Sequence, residues 1–247
     1  MAQKPLILAL ETSSRIGSVA IALGEQILAE FTFSGPMRHS AELFPAIHSL
    51  LDRFCRKPQE IEHIYISVGP GSFTGLRIAV TTAKAMNLAN AAKIVAVDTL
   101  DVIAANLISL TPENPVQTSS DEPRAASPER IAAVLDAKRR QFFIAVYQRT
   151  SNEIWKKIFP DSLMTAPQFL DKFACKQKPV WLLGDGLVYY KNKFKADGIQ
   201  FLDVQYWTPQ AAKVHLLGWK KALAGEFADA LTLQPNYLRR PDVKTKT

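Results

Sequence analysis

Cysteine is scarce. Cys55 and Cys175 are the two in 247 residues, 120 positions apart and outside any Cys-x-x-Cys spacing. A disulfide framework or a cysteine-based zinc site is therefore not expected, and a reducing cytoplasm fits. Membrane-length apolar runs are missing as well. Leu6–Leu10 and Val19–Leu23 are five residues each, against the ~18 or more that a spanning helix needs. Glu11 interrupts the run after Lys4 before a secretory h-region can form. Glycine and proline number 11 and 15, too few for a low-complexity chain. The four histidines, His39, His48, His63 and His215, form no His-x-x-x-His pair, so no two imidazoles share a helical face as a metal site would need. His39 and Glu42 sit at i, i+3 and read as a solvent-facing helix start. No Gly-x-Ser-x-Gly elbow or P-loop occurs. These gaps point to a soluble cytoplasmic protein without a protein-held metal.

What is present is ordinary globular composition, 47% apolar and 21% charged, with a net charge of +7. The charge is unevenly placed. Residues 1–108 carry 9 Lys/Arg and 9 Asp/Glu, whereas residues 109–247 carry 21 and 14. Clusters stand at Lys138-Arg139-Arg140, at Lys191, Lys193 and Lys195, and in the tail from Arg239-Arg240 to Lys246. Such a bias either solvates a surface or draws polyanions by steering and counterion release. It permits an RNA partner without establishing one.

The stretch 110–128 holds four prolines with Ser, Thr and acids, and reads as an exposed loop. It divides the chain into a first lobe, 1–108, a Pro/Ser-rich connection, 109–129, and a second lobe, 130–247. Both parts read β-β-β-α-β-α-β-α. Helices are predicted over Arg38–Phe54, Phe73–Asn90, Thr99–Ile108, Pro167–Cys175, Leu187–Phe194 and Pro209–Gly225. The third strand of the second part is predicted at Glu153–Ile158, after a turn at Ser151-Asn152. In each part the first strand ends at an acid, Glu11 or Asp136, and the fourth at Gly-x-Gly, Gly69-Pro70-Gly71 or Gly184-Asp185-Gly186. A duplicated unit of this order suggests two ribonuclease-H-like lobes of the actin-like ATPase class, each with a mixed five-stranded sheet.

A catalytic member of that class carries an Asp-x-Gly-Ser/Thr turn after the first strand of each lobe, where the glycine lets backbone N–H groups approach phosphate. Here the turns are Glu11-Thr12-Ser13-Ser14 and Asp136-Ala137-Lys138-Arg139, both without the glycine. Glu11, Ser13, Asp136 and Lys138 are then the remnant of a nucleotide cleft. This argues against productive ATP chemistry and leaves room for ATP or ADP binding between the lobes or at an interface.

The most specific segment is Val68-Gly69-Pro70-Gly71-Ser72-Phe73-Thr74-Gly75-Leu76-Arg77-Ile78. It reads as a strand, a turn and a helix start with Ser72 as N-cap. Gly75, Ala79 and Ala83 fall four apart on one flat helical face. In the preceding helix, Leu43, Phe44, Ile47 and Leu51 give surplus apolar surface. Together these seven residues are the expected partner interface, although packing on the chain's own sheet would use the same pattern.

The segment Gly69–Ile78 resembles the signature of the TsaB (YeaZ) family. Further matches are Ile7–Ser13, His39–Pro45, Val134–Arg139 and Pro235-Asn236-Tyr237-Leu238-Arg239. Glu11 departs from the family's usual Asp, and Ala79 from a frequent Gly. The resemblance implies a non-catalytic subunit that pairs through its first-lobe helices with a TsaD-like catalyst. That complex places a threonylcarbamoyl group on N6 of the adenosine beside the tRNA anticodon. It also implies a TsaE-like accessory ATPase, self-association through the same face when alone, tRNA met through the complex, and no required cofactor. Arg239 and Arg240 are candidate RNA contacts. Two other readings remain open: an actin-fold small-molecule kinase or ATPase, and a metal-dependent peptidase-like protein.

Overall fold

The first strand explains the first lobe. Leu6–Glu11 (β1) is apolar on both faces up to its terminal acid and all six of its residues are buried, as expected of a strand with neighbours on both edges and layers above and below. In a computed structural model of the protein, which describes residues 4–108, 128–150 and 155–239, β1 pairs antiparallel with Ser18–Leu23 (β2) and parallel with Ile61–Gly69 (β4). Gln26–Thr32 (β3) and Lys93–Asp98 (β5) complete a sheet of order β3-β2-β1-β4-β5. The second lobe repeats it. Arg130–Asp136 (β6), Gln141–Arg149 (β7), Trp155–Thr165 (β8), Val180–Leu183 (β9) and Ile199–Phe201 (β10) form the order β10-β9-β6-β7-β8. With helices laid on these two mixed five-stranded sheets, the chain has the two-lobed actin-like α/β fold.

The predicted elements are close to those observed, with one marked difference. β8 runs through Pro160 to Thr165, well past the expected Ile158. Its place at the sheet edge tolerates a residue that cannot donate to a neighbour, and its pairing with β7 is irregular between Ile144 and Tyr147. The expected turn Ser151-Asn152 and most of the Pro/Ser-rich connection lie outside the described residues.

His39–Arg53 (α1) and Phe73–Asn90 (α2) cover one face of the first sheet, enclosing Leu8, Leu10, Ile64 and Ile66. Ala166–Phe173 (α4) and Leu187–Tyr190 (α5) serve the second lobe. The remaining two helices cross over. Thr99–Ala104 (α3) and the 3-10 turn after it send Leu100, Ile103, Ala104 and Leu107 into the core of the second lobe. Ala211–Leu223 (α6) lies on the first sheet, where Ala211 and Val214 join Ile7, Ala9, Tyr65 and Val95. Polar contacts seat it: the Ala211 N–H donates to Ser18 Oγ at 2.8 Å, and His215 Nε2 lies 2.8 Å from the Gly24 carbonyl. The boundary at residue 108 therefore separates the strands but not the cores.

A polar hub joins the halves. Lys157 Nζ stands 2.8 Å from Asp101 and 2.7 Å from Asp161, with Asp98 at 3.9 Å. The Tyr147 hydroxyl donates to Asp101 at 2.7 Å. Burial pushes the Asp98 and Asp161 carboxyls up, while the Lys157 ammonium between them opposes that shift.

Candidate functional site

The Gly69–Arg77 segment is built against the turn that follows β1. Ser72 caps α2 by accepting from the Gly75 N–H at 3.3 Å, and the Ser72 N–H donates to the Ser13 carbonyl at 2.7 Å. Thr12 Oγ1 donates to the Gly75 carbonyl at 2.7 Å. The glycines are needed for this approach, since a Cβ on Gly71 would lie 2.4 Å from Ser13 O, and one on Gly75 only 1.8 Å from Thr12 O.

This placement corrects the expected interface. Gly75, Ala79 and Ala83 are buried on the chain's own first lobe, and Leu43, Ile47 and Leu51 join the same core. Of the seven, Phe44 alone is exposed, at 61%. Four-residue spacing identifies a shared helical face but not the surface that covers it; here β1, β4 and the neighbouring helix do. The solvent sides of α1 and α2 instead carry Ala41, Phe44 and Pro45, and Phe73, Thr74 and Arg77.

Glu11 is also not where a cleft residue would be. It is fully buried, and its carboxyl accepts from the Ser13 N–H at 2.6 Å and from the Ser13 and Ser67 hydroxyls. Burial raises its pKa despite these bonds. The carboxyl thus engages the donors at the start of the turn from within. His39 is buried rather than solvent-facing, with Nε2 2.9 Å from the Ser14 carbonyl and its ring against Phe33. Glu42 accepts from Ser34 and Arg38, which hold its carboxyl down at about 2.

Between the lobes lies a cavity of about 780 Å³. Ser13, Asp136 and Lys138 line it, as does Gly71–Phe73 of the segment above; Glu11 does not. Asp136 is wrapped by Lys138, whose backbone N–H and Nζ each lie 2.8 Å from a different carboxylate oxygen. That bond raises the Lys138 pKa. Across the cavity the Arg15 N–H donates to Asp185 at 3.1 Å, and the Arg15 guanidinium lies 4.6 Å from the centre of the Tyr189 ring. Burial pushes Asp185 up to about 6. Among the described residues no group of three or more His, Cys, Asp or Glu side chains is arranged to hold a metal ion.

The fourth wall is one that the sequence did not announce. After α6 the chain returns along the first lobe, where the Ala228 N–H donates to the Ile94 carbonyl, and then crosses the cavity as Asn236–Arg239. The Asn236 N–H donates to Val68 O at 2.7 Å; Tyr237 stacks on Phe73 and its hydroxyl accepts from Arg77 at 3.2 Å. Two sequence motifs 160 residues apart are thus one structure, and the aromatic and arginine in each were the available signal. Arg239 donates to the Ala137 carbonyl at 2.6 Å and to Gln141 Oε1 at 2.5 Å. It fastens the strap to the second lobe. Arg240 and the tail lysines lie outside the described residues.

A family model described as "TsaD: tRNA N6-adenosine threonylcarbamoyltransferase" matches residues 26–172. The chain is similar to a Bacillus subtilis protein named tRNA threonylcarbamoyladenosine biosynthesis protein TsaB. The two are 29% identical over 97% of this chain and 96% of that one. The like-named Escherichia coli protein is 24% identical over 94% of each. The solved structure of YeaZ from Pseudomonas aeruginosa superposes with a TM-score of 0.73, at 22% identity over 95% of this chain and all of that one. Among the described residues no helix is long and apolar enough to cross a membrane.

Proposed function

The chain belongs to the family of that model and, within it, to the TsaB (YeaZ) branch, and from this premise we propose that it is the non-catalytic partner of a TsaD-like threonylcarbamoyltransferase. In this reading it activates the catalyst for N6-threonylcarbamoylation of the adenosine beside the tRNA anticodon. A TsaE-like ATPase assists the complex, and the isolated chain pairs with itself through the face that binds the catalyst. It works in the cytoplasm and needs no cofactor of its own.

The observation that carries the non-catalytic reading is the sealed turn after β1. Glu11 already engages the Ser13 amide and the Ser13 and Ser67 hydroxyls, donors of the kind a bound phosphate would use. Asp136 in the second lobe is similarly closed by Lys138. The partner contact is assigned to the outer sides of α1 and α2, centred on Phe44, because a 61% exposed phenylalanine gains from being covered.

Two variants test the contact. Phe44→Glu leaves the core intact and should weaken capture of the TsaD-like protein by about 30-fold or more, as loss of an aromatic anchor does. Its melting curve should match wild type. Ala79→Glu buries a charge in the first-lobe core and should unfold the chain, with an expected loss of about 3–5 kcal/mol. A folded Phe44→Glu variant that binds the partner at wild-type affinity refutes the contact. ATP turnover by the chain alone that falls on Glu11→Ala refutes the non-catalytic reading.

A further inference from the structure

The second-lobe rim of the cavity has a chemistry that the partner contact does not use. The β6–β7 connection is a tight tip, fixed by the Ala137 N–H donating to Gln141 O and the Gln141 N–H donating to Lys138 O, each at 3.0 Å. Its three cations, Lys138, Arg139 and Arg140, are all exposed. Beside it stands α5. Lys138 and Arg139 line the cavity together with Tyr189 and Tyr190. Lys193 reaches to 5.2 Å from the centre of the Tyr190 ring. Tyr189 is 70% exposed, with Arg15 across one face, so the greater part of a flat aromatic ring meets solvent at the edge of a cationic rim.

Closely set cations beside an open aromatic ring suit a ligand with phosphates and a free base. Duplexes offer phosphates but keep their bases stacked. Unpaired nucleotides offer both, the backbone lying on the cations and a base on the ring. An acidic protein surface would match the cations but leave Tyr189 without a purpose. We propose that the Lys138–Arg140 tip and the Tyr189–Lys193 turn bind an unpaired stretch of RNA, its phosphates on the arginines of the tip and one base stacked on Tyr189. The choice of RNA over DNA rests on the function proposed above; the phosphate-and-base chemistry does not. The site is distinct from Arg239, which is half-buried and bonded to Ala137 and Gln141, whereas the three tip residues are exposed.

The test is fluorescence anisotropy of a labelled anticodon stem–loop titrated with the full chain, alone and with its TsaD-like partner, at several salt concentrations. Arg139→Glu with Arg140→Glu should weaken binding at least tenfold. It should also reduce the salt slope by about 1.4, at about 0.7 for each single-strand phosphate that is no longer neutralised. Tyr189→Ala should weaken binding about 5- to 150-fold, as removal of a stacking platform does, and should not affect a fully paired RNA of equal length. The same charge change at Arg56 and Lys57, outside the rim, should have little effect. Capture of the partner should be unchanged in every rim variant, and Phe44→Glu should keep RNA binding by the chain alone, so this proposal and the proposed function fail separately. The proposal is overturned if neither rim variant alters stem–loop affinity. It is also overturned if the wild-type chain binds no RNA at low salt, or if paired RNA binds as tightly with Tyr189→Ala silent, which would leave a general polyanion patch. Loss of partner capture with RNA binding intact would make the rim a protein contact and overturn it too.

Discussion

Gly75→Ala should reverse the usual sign of a glycine-to-alanine change in a helix. Inside an exposed helix that substitution gains about 1 kcal/mol. Here the added Cβ would sit 1.8 Å from the Thr12 carbonyl oxygen, where even a close C–H···O approach needs roughly 3.3 Å. Helix and turn must part by about 1.5 Å at that point. The separation strains the Thr12 hydroxyl bond to Gly75 O and the Ser72 amide bond to Ser13 O, both 2.7 Å. Each contributes about 1 kcal/mol, and over-packing adds about 1–3 kcal/mol. Set against the gain in helix propensity, the net loss is about 2–4 kcal/mol. In a chain of this length that lowers the melting temperature by about 4–16 °C. Thermal and urea melts followed by circular dichroism measure it. Ala85→Gly, on the exposed side of the same helix, is the internal standard and should cost about 1 kcal/mol. A Gly75→Ala protein as stable as wild type, or more stable, would refute the close-approach explanation.

Asp185 has a folded-state pKa of about 6 against an ordinary 3.8, so the folded chain holds its proton more tightly and stability falls as pH rises from about 3.8 to 6. Asp185→Asn should remove that dependence and stabilise the chain at pH 8 by at most about 3 kcal/mol, as read from urea midpoints at both pH values; a destabilised variant at pH 8 contradicts this. Lys157→Met strands Asp101 and Asp161 without their cation and should cost about 2–4 kcal/mol at pH 8. The loss should be smaller in acid, where the Asp98 and Asp161 carboxyls, raised by burial, take up protons, and losses independent of pH would count against the hub. Arg239→Met should free the strap, visible as faster amide exchange at Asn236 with little change at β1; unaltered exchange would show that Arg239 does not hold it.

The sequence made some elements legible and hid others for physical reasons. α2 was readable end to end, because Ser72 is a good N-cap and apolar residues recur at helical spacing. The repeat of strand order was readable because both halves show the same succession of short apolar runs, turns and helical patterns. What buries a given face was not: the small face of Gly75, Ala79 and Ala83 has the same pattern whether a partner or the chain's own sheet covers it. The end of β1 is where a cleft acid belongs, yet Ser67, which with Ser13 turns Glu11 inward, becomes its neighbour only once β1 and β4 pair. The strap shows the same limit: Pro235–Arg239 is recognisable as a motif, but its wall-forming role depends on a contact between positions 77 and 237.

The exchange of α3 and α6 between the halves has a consequence for how such a molecule can be taken apart. Each sheet is finished by a helix encoded in the other half, α3 inserting Leu100 and Ile103 beside β6 and α6 laying Ala211 and Val214 over β1 and β4. Hydrolysis of the backbone between residues 109 and 127 would therefore leave two fragments clasped together, eluting as one species until denatured. Expressed apart, either fragment would present an uncovered apolar sheet and a helix with nothing to lie on, and would aggregate or seek another copy. Fused and symmetric in this way, the chain has the form of a helix-exchanged dimer written as one polypeptide.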